Sequence, residues 1–273
     1  LPDMDVGRIP DDPDIINNPS SVLYRVQESR QPLRLRSLGC VANFRRPTAD
    51  DLVGLVNPAR SGQNFFWSEP YALGNIPRGF YRGGGLYLIL HGGPDDGSQY
   101  TGEPKIKGRK YPPAFSAAAA EQAEVVMSGA CYGAKVMGRT TSNSIALACM
   151  AKGCRAFIGH SGMSYSNFSS MARGQAGFYK LFIEASKKGM PPATAFRVAK
   201  HSLAAKLTTN SDRKHLAQLI YYGLPPVQLD QAELTAMREA AAKAARKAAE
   251  RAAAQRAADA RARQRAAQHQ QRR

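Results

Sequence analysis

Two short stretches of the sequence place chemically capable side chains directly after apolar runs. In VVMSGACYGAKV (125–136), an apolar run ends at small residues and Cys131 follows. In GLYLILHGG (85–93), a continuous apolar run ends at His91 and Gly92. A cysteine becomes a nucleophile when a base accepts its proton, and histidine titrates near neutral pH. These residue types therefore leave two interpretations: nucleophilic catalysis by Cys131 with His91 as the proton acceptor, or a small core cysteine and a structural histidine at two strand ends.

Small residues beside these two side chains fit the needs of such a reaction. The backbone N–H of Gly92 is a candidate donor to the oxyanion that develops during acyl transfer, and so is the N–H of Cys131. Gly129 and Gly133 flank the cysteine, and glycine lets the backbone approach a ligand without obstruction by a side chain. The pattern predicts a substrate carbonyl close to both strand ends.

The elements that must position these residues follow in the order strand, helix, strand, helix, strand, helix. We predict strands at 33–43, 85–90, 123–130 and 154–159, a long loop at 60–83, and helices at 48–59, 112–122, 141–153, 166–189 and 191–207. Thr48 is the candidate N-cap of the first helix. This order predicts an α/β, doubly wound fold with a mostly parallel central sheet and helices on both faces. Sites in such folds form at the carboxyl ends of the strands, so His91 and Cys131 flank one cleft if their strands are neighbours.

Composition divides the chain of 273 residues into three parts. Residues 1–30 predict an extended arm, 31–230 a single domain, and 231–273 an Ala- and Arg-rich tail that forms a long basic helix or is partly disordered. The tail holds 11 Lys and Arg against 4 Asp and Glu, a large share of the net charge of +17. It is a candidate contact for an acidic surface. Aromatic residues that would stack on bases are not interleaved with its charges.

Several classes of protein are disfavoured by the composition. No apolar run reaches the roughly 18 residues that predict a membrane-spanning helix. The acidic, Pro-rich first residues are unlike a signal peptide. The cysteines are Cys40, Cys131, Cys149 and Cys154, which in a chain of this length indicates reduced thiols and a cytoplasmic location rather than a disulfide scaffold. Cys149 and Cys154 have no matching pair at zinc spacing, so we expect neither a metal nor another cofactor.

Ordered blocks of the sequence resemble a known family. LYLILHGG followed by EVVMSGACYGA resembles the caspase-like cysteine peptidases (clan CD), in which an apolar strand precedes His-Gly and a second one precedes the cysteine. NSIALACMAKGCRAFIGHSGMSYS, FYKLFIEASKKGMPPATAFRVAK and LIYYGLPPVQL are similar to the gingipain-like and CHAT-type members. The resemblance extends over roughly residues 84–229.

This resemblance implies a thiol protease, a hydrolase with a catalytic dyad. Cys131 would be the nucleophile, His91 the general base and acid, and the N–H groups of Gly92 and Cys131 the oxyanion hole. The substrate would be a protein or peptide. Members of this fold class are often activated by cleavage or by a partner, so a regulatory protein partner is also expected.

Candidate substrate-binding residues come from two segments. The family's specificity pocket falls near GHSGMSYS (159–166), where the candidates are His160, Ser161 and Tyr165. A hydrogen-bonded histidine at the end of a strand is the other interpretation of His160. Asp95 and its neighbour Asp96 follow His91 closely, and they are either selectors of a basic side chain or solvated loop carboxylates.

Two positions depart from the family's pattern. Gly129 stands two residues before the cysteine, where clostripain-like members often carry Asp. The family's late Tyr-Gly-Asp-Pro is Tyr222-Gly223-Leu224-Pro225 in this chain. Both departures leave the preferred substrate residue open.

Alternative functions remain open at this stage. GACYGA (129–134) also resembles the nucleophile turn of class I glutamine amidotransferases and DJ-1-like enzymes, which place the partner histidine after the cysteine, often as His-x-Glu. No histidine after Cys131 has Glu two positions on, so the order of His91 and Cys131 favours the peptidase. A catalytically silent scaffold is the non-enzymatic alternative. The first residue is Leu1 rather than Met, as expected for a piece of a longer precursor.

Overall fold

The computed structural model describes residues 31–33, 35–43, 48–57, 64–164 and 171–224, together with six isolated positions between 239 and 254. Within these ranges no helix is long and apolar enough to cross a membrane. The predicted arm at 1–30 lies outside the described residues, and so does the tail apart from those six positions. The predictions for both segments therefore stay predictions.

A six-stranded sheet forms the centre of the fold, in the order β2-β1-β3-β6-β7-β8. Its strands are β1 Leu38–Asn43, β2 Phe65–Ser68, β3 Gly85–Ile89, β6 Val125–Ser128, β7 Ala156–His160 and β8 Leu219–Tyr222. All neighbouring pairs are parallel except β7 and β8, which pair antiparallel. The predicted α/β fold with a mostly parallel sheet is confirmed. A separate antiparallel hairpin consists of β4 Gln99–Thr101 and β5 Pro113–Ser116.

Helices cover both faces of this sheet. They are α1 Thr48–Val56, α2 Ile145–Ala151, α3 Gly174–Lys187, α4 Pro192–Ala204 and α5 Asn210–Gln218. Side chains of α1, α3, α4 and α5 share one hydrophobic core with the sheet, and α2 and the hairpin share the other. Both cores are needed because the central strands of a parallel sheet are buried on both faces.

Alternation along β3 shows how one apolar run serves both cores. Tyr87 and Ile89 point into the core beneath α3, whereas Leu86 and Leu88 point into the core beneath α2. Successive side chains of a strand point to opposite faces, so a strand between two helical layers must be apolar at every position. The apolar run therefore marks the extent of β3, and His91 lies just beyond the end of that strand.

The segment 112–122 differs from its prediction. An Ala-rich helix is expected there, but the structure forms β5 and a single 3-10 turn, Ala117–Ala119. Tyr100 of β4 pairs with Phe115, and both are buried in the core beneath α2. The Tyr81 hydroxyl accepts a hydrogen bond from the Glu121 N–H at 2.8 Å. These tertiary contacts outweigh the helix propensity of four alanines.

The other boundaries differ less. The first strand covers Leu38–Asn43 rather than 33–43, and the predicted loop at 60–83 contains strand β2. Helix α3 begins at Gly174 instead of 166, and residues 166–170 lie outside the described residues. Thr48 is the first helical residue of α1 and not its N-cap, because its backbone is already helical. Strand and helix ends depend on capping and packing, which sequence patterns resolve poorly.

Candidate active site

The two candidate catalytic residues follow neighbouring strands. β3 and β6 pair in parallel with Leu88 opposite Ser128, so both chains leave the sheet at the same edge. His91 follows β3 and Cys131 follows β6. The Gly129 N–H donates to the Leu88 carbonyl at 2.6 Å and extends the pairing towards the site. The strands that precede His91 and Cys131 are therefore neighbours, as a cleft flanked by both residues requires.

Gly92 lies directly against the cysteine. A Cβ atom at Gly92 would collide with the carbonyl oxygen of Cys131 and would lie 3.2 Å from the Cβ of Ala130. Only glycine lets the two loop backbones approach this closely. Among the described residues, neither the Gly92 N–H nor the Cys131 N–H donates to a protein acceptor. Two backbone donors are thus available where the sequence predicts an oxyanion hole.

The loop after β3 is held to the loop after β6. The carbonyl oxygen of Pro94 accepts hydrogen bonds from Lys135 Nζ at 2.9 Å and from Arg139 Nη2 at 2.8 Å. Two cationic side chains on one carbonyl form charge-assisted hydrogen bonds, which are stronger than neutral ones. This contact keeps the segment that begins with His91 beside the segment that begins with Cys131.

The His91 ring has polar partners that the sequence analysis did not identify. Asn43, the last residue of β1, places its Nδ2 2.9 Å from His91 Nε2 and donates to Glu103 Oε2 at 2.6 Å. Glu103 Oε2 also lies 3.6 Å from His91 Nε2. A carboxylate at this distance stabilises an imidazolium. Asn43 Nδ2 donates to Nε2 only while Nε2 is unprotonated, so in the imidazolium Asn43 acts on the ring through Glu103.

The hairpin holds His91 from the other side. The His91 N–H donates to the Thr101 carbonyl at 2.8 Å, and the Thr101 N–H donates to the His91 carbonyl at 3.0 Å. The Tyr111 ring packs edge-on against the imidazole with ring centroids 5.0 Å apart. The main chain and the ring of His91 are both constrained, which favours a single orientation of the imidazole.

Cys131 differs from the other cysteines in its exposure. Its side chain is half-buried, whereas Cys40, Cys149 and Cys154 are fully buried and all four are free thiols. Burial raises the pKa of the Cys40 and Cys149 thiols well above the usual range. Buried protonated thiols are inert, so Cys131 is the cysteine from which reactivity is expected.

Ser164 lies over the Cys131 sulfur. Its N–H donates to Sγ at 3.3 Å, and its hydroxyl lies 3.5 Å from Sγ and donates to the Gly129 carbonyl at 3.2 Å. The loop that carries Ser164 is fixed by a hydrogen bond from the Tyr132 N–H to the Gly162 carbonyl at 2.8 Å. The Cys131 thiol in turn lies 3.7 Å from the Ser164 carbonyl oxygen, to which it donates. Ser164 is therefore a further residue of the site.

The flanking glycines have a structural role. A Cβ at Gly129 would collide with the Gln175 side chain, and one at Gly133 would overlap the hydroxyls of Ser128 and Tyr100. The sequence predicts that Gly129 and Gly133 make room for a ligand. The atoms nearest to both glycines belong instead to buried side chains of the protein, so the two glycines help to position the loop.

The predicted substrate-binding residues are scattered. Asp95 is exposed near the start of the loop after His91. Ser161 is exposed, and its N–H donates to the Gln218 carbonyl at 3.0 Å. Tyr165 lies outside the described residues. His160 is fully buried, so its ring sits beneath the surface on which a substrate would bind.

An open cavity adjoins His91. It has a volume of about 430 Å³ and is lined by His91, Gly92, Gly93, Asp96, Gln99, Thr101 and Tyr111. Hydrogen bonds from the hydroxyl and the N–H of Ser98 hold the pKa of the Asp96 carboxyl below its usual value. Asp96 is thus an anion on the cavity wall, which fits a selector of cationic groups better than Asp95 does. Within the described residues, no group of three or more His, Cys, Asp or Glu side chains could hold a metal ion.

Beneath the site, His160 and His215 form a buried pair. His160 Nε2 lies 3.0 Å from His215 Nδ1, and both side chains are fully buried. The His160 carbonyl accepts from the Ala134 N–H at 2.9 Å, so the pair lies under the loop that begins with Cys131. Burial lowers the pKa of His160 well below its usual range, and burial also lowers the pKa of His215 to about 4.

Comparison with known proteins does not assign this site. No protein-family model matches the chain, and no curated protein matches it significantly.

The substitution Glu103→Gln tests whether the negative charge of Glu103 assists His91. We expect Glu103→Gln to slow Cys131 alkylation by a peptidyl electrophile by roughly 10- to 100-fold, since two opposite unit charges about 4 Å apart attract each other by about 1–4 kcal/mol between bulk water and a protein surface. Glutamine keeps an acceptor for Asn43, so the thermal midpoint should change little. The control is Glu121→Gln, which removes the same charge from an ion pair with the exposed Arg82. Equal rates for both variants would contradict the role of Glu103.

The buried histidine pair predicts acid sensitivity. A histidine in the unfolded chain has a pKa of about 6.5, whereas the two rings of the folded pair stay neutral well below that pH. The unfolded chain then binds more protons, so the free energy of unfolding is fully retained above about pH 6.5 and decreases towards pH 4, by up to roughly 1.4 kcal/mol per pH unit for each proton. Lys200 opposes protonation of both rings, and Asp212 opposes the shift at His215.

Denaturant unfolding at pH 7 and pH 5 measures this effect. His215→Gln should lose part of the difference between the two pH values, because one titrating ring is removed. His201→Gln, on the half-buried face of α4, is the control and should behave as wild type. If His215→Gln keeps the full pH dependence, the pair is not its source.

Proposed function

We propose that this chain is a caspase-like cysteine endopeptidase that uses Cys131 as nucleophile and His91 as general base and acid. The observation that carries the proposal is the contact of Gly92 with Cys131 at the adjoining ends of β3 and β6. The resemblance of the blocks over residues 84–229 supports the same family, since it identifies the same two strand ends. The substrate is a protein or a peptide.

The reaction follows from the arrangement of the groups. The Cys131 thiolate attacks the scissile carbonyl, and the N–H groups of Gly92 and Cys131 receive the oxyanion. Protonated His91 gives its proton to the leaving amine, which leaves an acyl-enzyme thioester. Neutral His91 then takes a proton from water, and the hydroxide attacks the thioester and restores the thiol.

The polar partners of His91 fit both halves of this cycle. Glu103 stabilises the imidazolium that exists after the thiol is deprotonated, and Asn43 orients the carboxylate through its hydrogen bond to Oε2. Exchange of the proton at the other ring nitrogen requires Nε2 to keep its own proton, so Asn43 Nδ2 then acts on Glu103 and not as a donor to the ring. Asn43 and Glu103 act through His91, and they are positioning residues.

The placement of the other histidines argues against the amidotransferase-like alternative. That class needs a histidine that follows the cysteine in sequence. Of the described histidines that follow Cys131, His160 and His215 are buried and bonded to each other, and His201 is on helix α4. His269 lies outside the described residues. His91 lines the open cavity, its neighbour Gly92 contacts Cys131, and it precedes the cysteine.

Regulation by a partner or by processing acts, in this proposal, on the contact between Ser164 and the thiol. Ser164 covers one side of Sγ through its N–H and hydroxyl. A substrate carbonyl has to reach the same sulfur, so the loop at 161–164 must yield or reorient. A protein partner that holds this loop would therefore increase the activity.

Covalent labelling tests the nucleophile. A panel of peptidyl acyloxymethyl ketones with Arg, Lys, Asp, Asn, Leu or Ala before the warhead should give an adduct on Cys131, read by intact mass and peptide mapping. Cys131→Ala should abolish the adduct and retain the fold, because the side chain is only half-buried. His91→Ala should slow labelling by roughly 100-fold or more, the size of a general-base contribution.

The control variant is His201→Ala, which removes an imidazole remote from the two strand ends and should label as wild type. An adduct on another residue would contradict the assignment of Cys131. No adduct with any member of the panel, in the presence of calcium and candidate partners, would favour a silent scaffold.

A further inference from the structure

The connection between β4 and β5 carries a group of positive charges that the proposed reaction does not use. The Gly102 N–H donates to the Pro112 carbonyl at 2.8 Å and closes the base of this connection. Just above the base, Glu103 lies 3.6 Å from His91 Nε2 and Tyr111 packs edge-on against the His91 ring. Both stems of the connection therefore reach the candidate catalytic histidine.

The tip of this connection, which we call the basic tip, consists of residues 105–110. It reads KIKGRK, with four cationic residues and no acidic one. All six residues are exposed, and Ile106 retains 57% of its accessible surface. Within the described part of the chain, no carboxylate forms an ion pair with the four side chains.

The fold fixes the tip in place rather than neutralising it. The Lys105 backbone N–H donates to Glu69 Oε2 at 3.0 Å, and the hairpin base is hydrogen bonded. Four like charges within six residues repel one another, which is unfavourable unless an anion lies between them. A fixed cluster of this kind attracts an acidic chain and raises its association rate.

Distance limits where such a chain can act. Lys107, in the middle of the tip, is four residues from Glu103 and four residues from Tyr111, and both of these side chains lie beside His91. A chain extends about 3.3–3.6 Å per residue, so the tip reaches no more than about 14 Å beyond Tyr111 and no more than roughly 20 Å from the His91 ring. An acidic segment bound there must lie within about six residues of the bond to be cleaved.

We propose that the basic tip is a docking site for an acidic segment of the protein substrate, with Ile106 receiving an apolar side chain of that segment. This inference rests on the proposed peptidase function for its role in catalysis. It names the substrate class: proteins with a run of Asp or Glu a few residues from the scissile bond. Asp96, on the cavity wall, takes no part in binding this acidic run.

Binding is measured with protein that carries Cys131→Ala. The probe is a fluorescein-labelled 12-residue peptide of Asp and Glu with one central Leu, read by anisotropy. The test variant is K107Q/R109Q/K110Q. The matched control is K152Q/K188Q/K206Q, which removes the same charge from exposed positions outside the hairpin. The control is needed because a net charge of +17 attracts any anion.

We expect the test variant to weaken binding roughly tenfold or more and the control variant less than threefold, with the difference shrinking at high salt. Ile106→Ser should weaken binding of this peptide but not of a version without Leu. Equal losses in the test and control variants would overturn the proposal. Tighter, tip-dependent binding of single-stranded DNA of equal charge would also overturn it, because the partner would then be a nucleic acid.

A second measurement links the tip to the active site. Two acyloxymethyl ketones share one residue before the warhead, and one of them is extended by an acidic segment and the other by Gly and Ser. In each case Sγ displaces the carboxylate and forms a thioether. The acidic probe should label wild type roughly tenfold faster, and the test variant should lose this advantage.

Equal rates for both probes in wild type would contradict a role of the tip in catalysis. Failure of the peptidase proposal has a different signature, because no probe then labels Cys131. The anisotropy measurement uses protein without the nucleophile, so it still decides whether the tip binds an acidic segment.

Discussion

The close approach of Gly92 to the Cys131 carbonyl is the constraint on which the site depends. It requires parallel pairing of β3 with β6, a side chain no larger than hydrogen at Gly92, and two loops that leave the sheet at one edge. Lys135 and Arg139 reinforce the same approach by binding the Pro94 carbonyl. Pre-organised backbone donors of this kind are among the strongest sources of catalysis in enzymes.

Two groups of buried or half-buried polar side chains hold the site in place. The His160–His215 pair lies under the cysteine loop, and Asn43 with Glu103 surrounds His91 at the end of β1. Buried polar side chains usually pair with one another, and the hydrogen bonds between His160 and His215 and between Asn43 and Glu103 constrain the orientation of these groups. The same sheet edge thus carries the proposed nucleophile, the proposed base and the groups that hold them, and the basic tip lies beside it.

The sequence predicts the sheet and the two strand ends because continuous apolar runs followed by His-Gly or by a small residue and Cys are local signals. Asn43 could have been inferred, since a polar residue that ends a neighbouring strand must lie at the same edge. Glu103 and Ser164 come from loops whose paths depend on tertiary packing, and no local pattern marks them. The same limitation explains the segment 112–122, where pairing with β4 prevails over an alanine-rich sequence.

The structure of a covalent complex with a peptidyl aldehyde is the decisive test of Cys131 as the nucleophile. Such an aldehyde forms a hemithioacetal with a nucleophilic cysteine and mimics the tetrahedral intermediate. We expect a bond to Cys131 Sγ, with the hemithioacetal oxygen about 2.7–3.1 Å from the nitrogens of Gly92 and Cys131. An adduct whose oxygen points away from both nitrogens, or one on a different residue, would contradict it.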